Sequence, residues 1–99
     1  MLALTATFRA KPGRESDLEA ALRAMIAPVG TEEGVLVYAL HRSPADAGTF
    51  FFYEKYRDQA ALDHHNGTPY LAALIAQVPD LCAAAPVISL YEPLASIAD

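Results

Sequence analysis

Leu2, Leu4, Ala6 and Phe8 alternate with Ala3, Thr5, Thr7 and Arg9, the period of two that marks a β-strand. Pro12-Gly13 breaks the run, and from Glu15 the spacing changes. Leu18, Ala21, Leu22, Met25 and Ile26 recur at i, i+3, i+4, i+7 and i+8, one stripe of an amphipathic helix that Pro28 and Gly30 end. Glu15, Asp17 and Glu19 sit in its first turns, where the helix dipole favours acids. Val35 to Arg42 and Thr49 to Tyr56 read as two strands of a hairpin joined by a six-residue loop, Ser43 to Gly48. Asp58 caps a short helix running from Gln59 to about His65. After Asn66-Gly67, Thr68 caps again, with Pro69 at the first helical position. Leu71, Leu74, Ile75 and Val78 form the stripe of this last helix, and Pro79 and Pro86 bracket its exit. Val87 to Tyr91 is a final strand, followed by a tail from Leu94 to Asp99.

The order is β-α-β-β-α-β with the second helix split. It predicts an α+β chain, one ferredoxin-like domain over residues 1–99 whose four-stranded antiparallel sheet carries helices on one face. Large apolar side chains occupy both parities of the strands, Phe50, Phe51 and Phe52 among them. Both faces then need cover, and a second copy of the chain is the simplest cover for the face without helices.

Hairpin arithmetic narrows the chemistry. With opposed residues summing to 92, Tyr38 faces Glu54, Leu40 faces Phe52 and Leu36 faces Tyr56, which puts Phe52, Glu54 and Tyr56 on one face. A carboxylate in a buried strand costs several kcal/mol unless it is hydrogen-bonded or paired. Helical phase sets His65 beside Ala61 and Leu62, toward the sheet, and turns His64 about 200° from Leu62, toward solvent. Glu54 and His65 are the candidate catalytic pair. Tyr38, Tyr56, Tyr70 and Phe52 are candidate substrate-binding side chains. The same residues also fit a plainer account, in which the tyrosines are core aromatics with satisfied hydroxyls and His65 is a hydrogen-bonded helix end.

Net charge is −5 and the seven basic residues are scattered, which argues against nucleic acid. A lone cysteine, Cys82, excludes an intrachain disulfide and a cysteine-rich zinc site, and fits a reducing compartment. The histidines lack metal-ligand spacing, and no glycine-rich phosphate loop is present. No metal or other cofactor is expected. The apolar N-terminus is too short for a signal or a membrane span, so a cytoplasmic protein is expected.

Three stretches then carry a resemblance: Ala10-Lys11-Pro12-Gly13 after the first strand, Glu33-Gly34-Val35-Leu36-Val37-Tyr38 opening the second, and Tyr53-Glu54-Lys55-Tyr56 followed by Asp58, Ala61, Leu62 and His65. In this order they resemble the antibiotic biosynthesis monooxygenase family, especially its small quinol-monooxygenase-like members. The resemblance implies a dimeric α/β barrel and oxidation of a small phenolic, hydroquinone or polyketide-like aromatic by O₂, without flavin or metal. It carries Tyr38, Glu54 and His65 over as functional positions, with His65 as base or proton relay, Glu54 orienting it and Tyr38 bonding the substrate oxygen. Tyr70 stands where members of the family often have a second histidine. Haem-degrading relatives share an Asn, Trp and His set; this chain has no Trp and no strand Asn, which sets that activity aside. An isomerase or cyclase, or a ligand-binding dimer without catalysis, could use the same pocket.

Overall fold

In the computed structural model, which describes residues 1–97, the N-terminal alternation becomes β1 (Leu2–Arg9). It is an inner strand of an antiparallel sheet of order β2-β3-β1-β4, with β2 at Val35–Arg42, β3 at Thr49–Tyr56 and β4 at Val87–Tyr91. Helices α1 (Glu15–Arg23), α2 (Ile26–Val29), α3 (Gln59–Asn66) and α4 (Pro69–Leu81) complete the ferredoxin-like order. Leu4, Ala6 and Phe8 of β1 and Phe50, Phe52 and Tyr56 of β3 form the sheet side of the core. Leu18 and Leu22 of α1, Val29 of α2, Leu62 of α3, and Leu74 and Leu81 of α4 close it from above. On the other parity Val87 and Tyr91 are 65% and 55% exposed. The end of the expected tail, residues 98–99, lies outside the described residues. No helix among the described residues is long and apolar enough to cross a membrane.

Most of the expected register holds: Tyr38 is opposite Glu54 and Leu40 opposite Phe52. Leu36 does not face Tyr56. A bulge between Val35 and Val37 gives that place to Val35 and leaves Leu36 46% exposed. A bulge adds one residue to a strand without a partner, so pairing by arithmetic fails beyond it.

The first helix is also shorter than its stripe. It ends at Arg23 and resumes as α2, because Pro28 has no N–H to give the Ala24 carbonyl and its ring crowds that carbonyl. Met25 and Val29 stay buried, whereas Ile26 is 42% exposed. Arg14 pairs with Asp17 at the start of α1, and Glu19 ties α1 to β2 through Arg42 while also bonding Arg23. At the other end of the chain α4 passes through Pro79 and runs on to Leu81. Lys11 holds this last turn, its Nζ donating to the Pro79 carbonyl at 2.6 Å and its backbone N–H to the Leu81 carbonyl at 2.9 Å. Buried Leu81 anchors the turn from below.

Asp58 caps α3 as its position suggests, accepting from the Ala61 N–H at 2.9 Å. Thr68 does not cap α4 with its side chain; its hydroxyl turns back to the His65 carbonyl at 2.8 Å, fastening the end of α3 instead.

Gly34 marks where β2 presses on α3. A Cβ there would lie 2.4 Å from the Ala61 Cβ, nearer than packed carbons approach. Gly34→Ala should therefore destabilise the fold by about 1–3 kcal/mol, the usual cost of overpacking, read as a lower urea midpoint with unchanged slope.

Candidate functional site

The site lies between the sheet and α4, at the end where α3 stops and α4 starts. Strand parity aims Phe52 and Glu54 of β3 and Tyr38 of β2 toward the helices. Helical phase turns His65, 3% exposed, toward them, while His64 lies on the surface. The rings pack closely: Tyr38 lies 4.6 Å from Phe52 between centroids, and both Tyr38 and Tyr56 lie 5.5 Å from His65.

Each acid has its own donors. The Tyr56 hydroxyl donates to Glu54 Oε1 at 2.5 Å. The expected contact between Glu54 and His65 is replaced by one to an acid that the sequence patterns passed over. His65 Nδ1 lies 3.0 Å from Oε2 of Glu32, a residue of the turn between α2 and β2. The Tyr70 hydroxyl donates to that same oxygen at 2.5 Å. A carboxylate oxygen only accepts, so the ring proton of a neutral His65 sits on Nδ1 and the lone pair on Nε2. Glu32 Oε1 is buried and has no partner among the described residues.

Burial is the main cause of the shifted titrations. It holds the Glu54 carboxyl above the usual carboxylate range, against the pull of the Tyr56 hydroxyl and of His65. Burial and then the charge of Glu54 push the Tyr38 and Tyr56 hydroxyls well up, so both remain donors. Tyr70 is pushed up to about 12, by burial and then by its bond to Glu32.

These groups border a cavity of about 480 Å³. Tyr38, Phe52, Glu54, His65 and Asn66 reach its wall; the rest of the lining is apolar, from Leu4 and Phe8 of β1 to Leu71, Leu74 and Val78 of α4. Of the candidate substrate-binding residues, Tyr38 and Phe52 line the cavity, whereas Tyr56 and Tyr70 stand behind it as donors to the two acids. Among the described residues the Tyr38 hydroxyl and His65 Nε2 have no hydrogen-bond partner in the protein. No three Asp, Glu, His or Cys side chains among the described residues are grouped to hold a metal ion. The arrangement can bind an apolar molecule by one polar end, accept a proton at His65, and offer a hydrogen bond from Tyr38.

Comparison with known proteins agrees in fold and family. The family model described as "Antibiotic biosynthesis monooxygenase" matches residues 1–77. A Mycobacterium tuberculosis protein named "Putative monooxygenase Rv0793" is 38% identical over 93 residues, covering 94% of this chain and 91% of its own length. The structure of Rv0793 superposes with a TM-score of 0.91 and covers 98% of both chains. PA3566 from Pseudomonas aeruginosa superposes with a TM-score of 0.89 at 36% identity, covering 95% of this chain and 94% of its own. The chain belongs to the antibiotic biosynthesis monooxygenase family.

Proposed function

We propose that this protein is a cofactor-independent monooxygenase that oxidises a small phenolic, hydroquinone or polyketide-like aromatic with O₂. The observation that supports this most is His65, an imidazole oriented by a buried acid at the polar end of an apolar cavity. His65 Nε2 takes the proton of the substrate hydroxyl, and Tyr38 steadies the oxygen that becomes negative. The electron-rich anion passes one electron to O₂, and the resulting radical pair joins at a ring carbon to give a hydroperoxide. That carbon then loses its hydrogen while the O–O bond breaks. One oxygen atom stays as a quinone carbonyl and the other leaves as water. Glu54, on the cavity wall, returns a proton to the departing oxygen. The electrons come from the substrate, so the side chains need only bind, move protons and exclude water.

A base and a carboxyl group in one cavity also suit a proton-shuffling isomerase or cyclase. Oxygen uptake separates the two readings: the oxygenase consumes O₂ with its substrate in the presence of a chelator, and the isomerase converts its substrate without O₂.

The working form is a cytoplasmic homodimer, with the sheet faces that lack helices packed together as a barrel. Exposed Val87 and Tyr91 on that face, and Leu94 and Ile97 beyond it, support a second copy as the cover. A stable interface of this type buries upwards of about 2,000 Å². Light scattering at low micromolar concentration should return the mass of two chains; a folded monomer there would contradict the barrel.

A further inference from the structure

We propose that the substrate is uncharged, with a single hydroxyl head and a long apolar arm, a class narrower than phenols and quinols at large; this rests on the oxygenase reading of the same cavity. The strand register supplies the dimensions. Leu4 lies opposite Glu54, which faces Tyr38 on the other side, so these three residues share one level of the sheet. Ala6 and Ile88 lie one step along, and Phe8 another. Phe8 lies four residue steps along the strand from Leu4, a run of about 13 Å. Helix α4 follows the same course. It starts beside Glu32, through Tyr70, and ends tied to Lys11. The polar wall groups Tyr38, Glu54, His65 and Asn66 gather at the first end, and the remaining length is hydrocarbon from sheet and helix.

Charge narrows the head. No Lys or Arg lines the cavity. Lys11, nearest the far end, spends its Nζ on the Pro79 carbonyl. A carboxylate or phosphate that stays charged at the polar end would meet Glu54, and the cation within reach is His65, whose charge Glu32 already balances. An unpaired buried charge is the most costly group an apolar site can hold. A second polar substituent far along the arm would find only apolar side chains. Ile75 and Ile88 of the lining are 58% and 55% exposed, so the cavity is open to solvent beside them and a long arm has a way out.

The test is calorimetric titration of the full chain with 3-alkylphenols from methyl to hexyl, and with 3-alkylbenzoates of the same arms at pH 8. The dissociation constant of the phenols should fall roughly fourfold per methylene, and each benzoate should bind at least about a hundredfold more weakly than its phenol. Ile75→Asp, a change at an exposed position, should flatten the gain for the longer arms. A flat phenol series, or benzoates that bind as well as phenols, would overturn the inference. A flat series is also the result expected if the tail or a second copy fills the cavity. Oxygen uptake measured on the same ligands keeps the two readings apart. Arm-dependent binding without uptake removes the oxygenase and leaves the ligand class. Uptake on hydroquinone sulfonate as fast as on the alkylphenols keeps the oxygenase and removes the ligand class.

Discussion

His65→Gln should lower turnover by roughly 10²–10⁴, the usual worth of a general base, while His64→Gln leaves it nearly unchanged. The two residues are neighbours in sequence and opposite in environment: His65 is enclosed by Tyr38, Tyr56 and Glu32, and His64 faces solvent. Glutamine retains a polar group of similar reach and can still donate to Glu32, so the dimer should form. What it lacks is the basic Nε2. His64→Gln should shift stability by no more than about 0.5 kcal/mol, as surface changes do. Steady-state kinetics of both variants beside unfolding curves make the check. Equal, small losses from both would return His65 to a structural role.

The second large effect is expected at Glu32. Glu32→Gln preserves shape and removes the acceptor-only character of the group. Its amide N–H₂ can face the imidazole and draw the ring proton to Nε2, the tautomer that cannot accept from substrate. The kcat should fall by roughly 10² or more, with KM changed little because Glu32 is not on the cavity wall. The pH profile distinguishes positioning from packing. The pH dependence of kcat in the variant should differ from that of the wild type, and Glu32→Asp should restore part of the rate. A Glu32→Gln enzyme with an unmoved pH profile and normal kcat would show that the bond to His65 does not govern the chemistry.

How far the site can be read from the chain depends on how local its determinants are. The bounds of β1, β2, β3 and β4 follow from alternation, and the Tyr38–Glu54 pairing follows from the hairpin loop, because both are short-range consequences of strand geometry. The inward turn of His65 likewise follows from three or four residues of helical phase. Glu32 was legible to none of these. It sits in a turn beside Glu33, where two acids look like solvated charge, and its partners are His65, 33 positions on, and Tyr70, 38 positions on. One clue lay nearby: Gly34 opens β2 against the end of β3 and the start of α3, so the preceding turn must lie at the His65 end of the sheet. The Leu36 bulge and the passage of α4 through Pro79 were hidden for a related reason. Lys11, from the far end of the chain, holds the last turn of α4, and the bulge lies at the end of β2 that the loop arithmetic reaches last.

The central claim is that this fold inserts one oxygen atom of O₂ using side chains and substrate alone. The direct measurement is turnover of a 3-alkylphenol under ¹⁸O₂ with a chelator present, followed by mass spectrometry of product and water. One labelled oxygen in the quinone, one in water and one O₂ consumed per substrate is the predicted result. Uptake that stops with chelation and returns with a metal would contradict the account, as would recovery of all the label as hydrogen peroxide beside an unlabelled product.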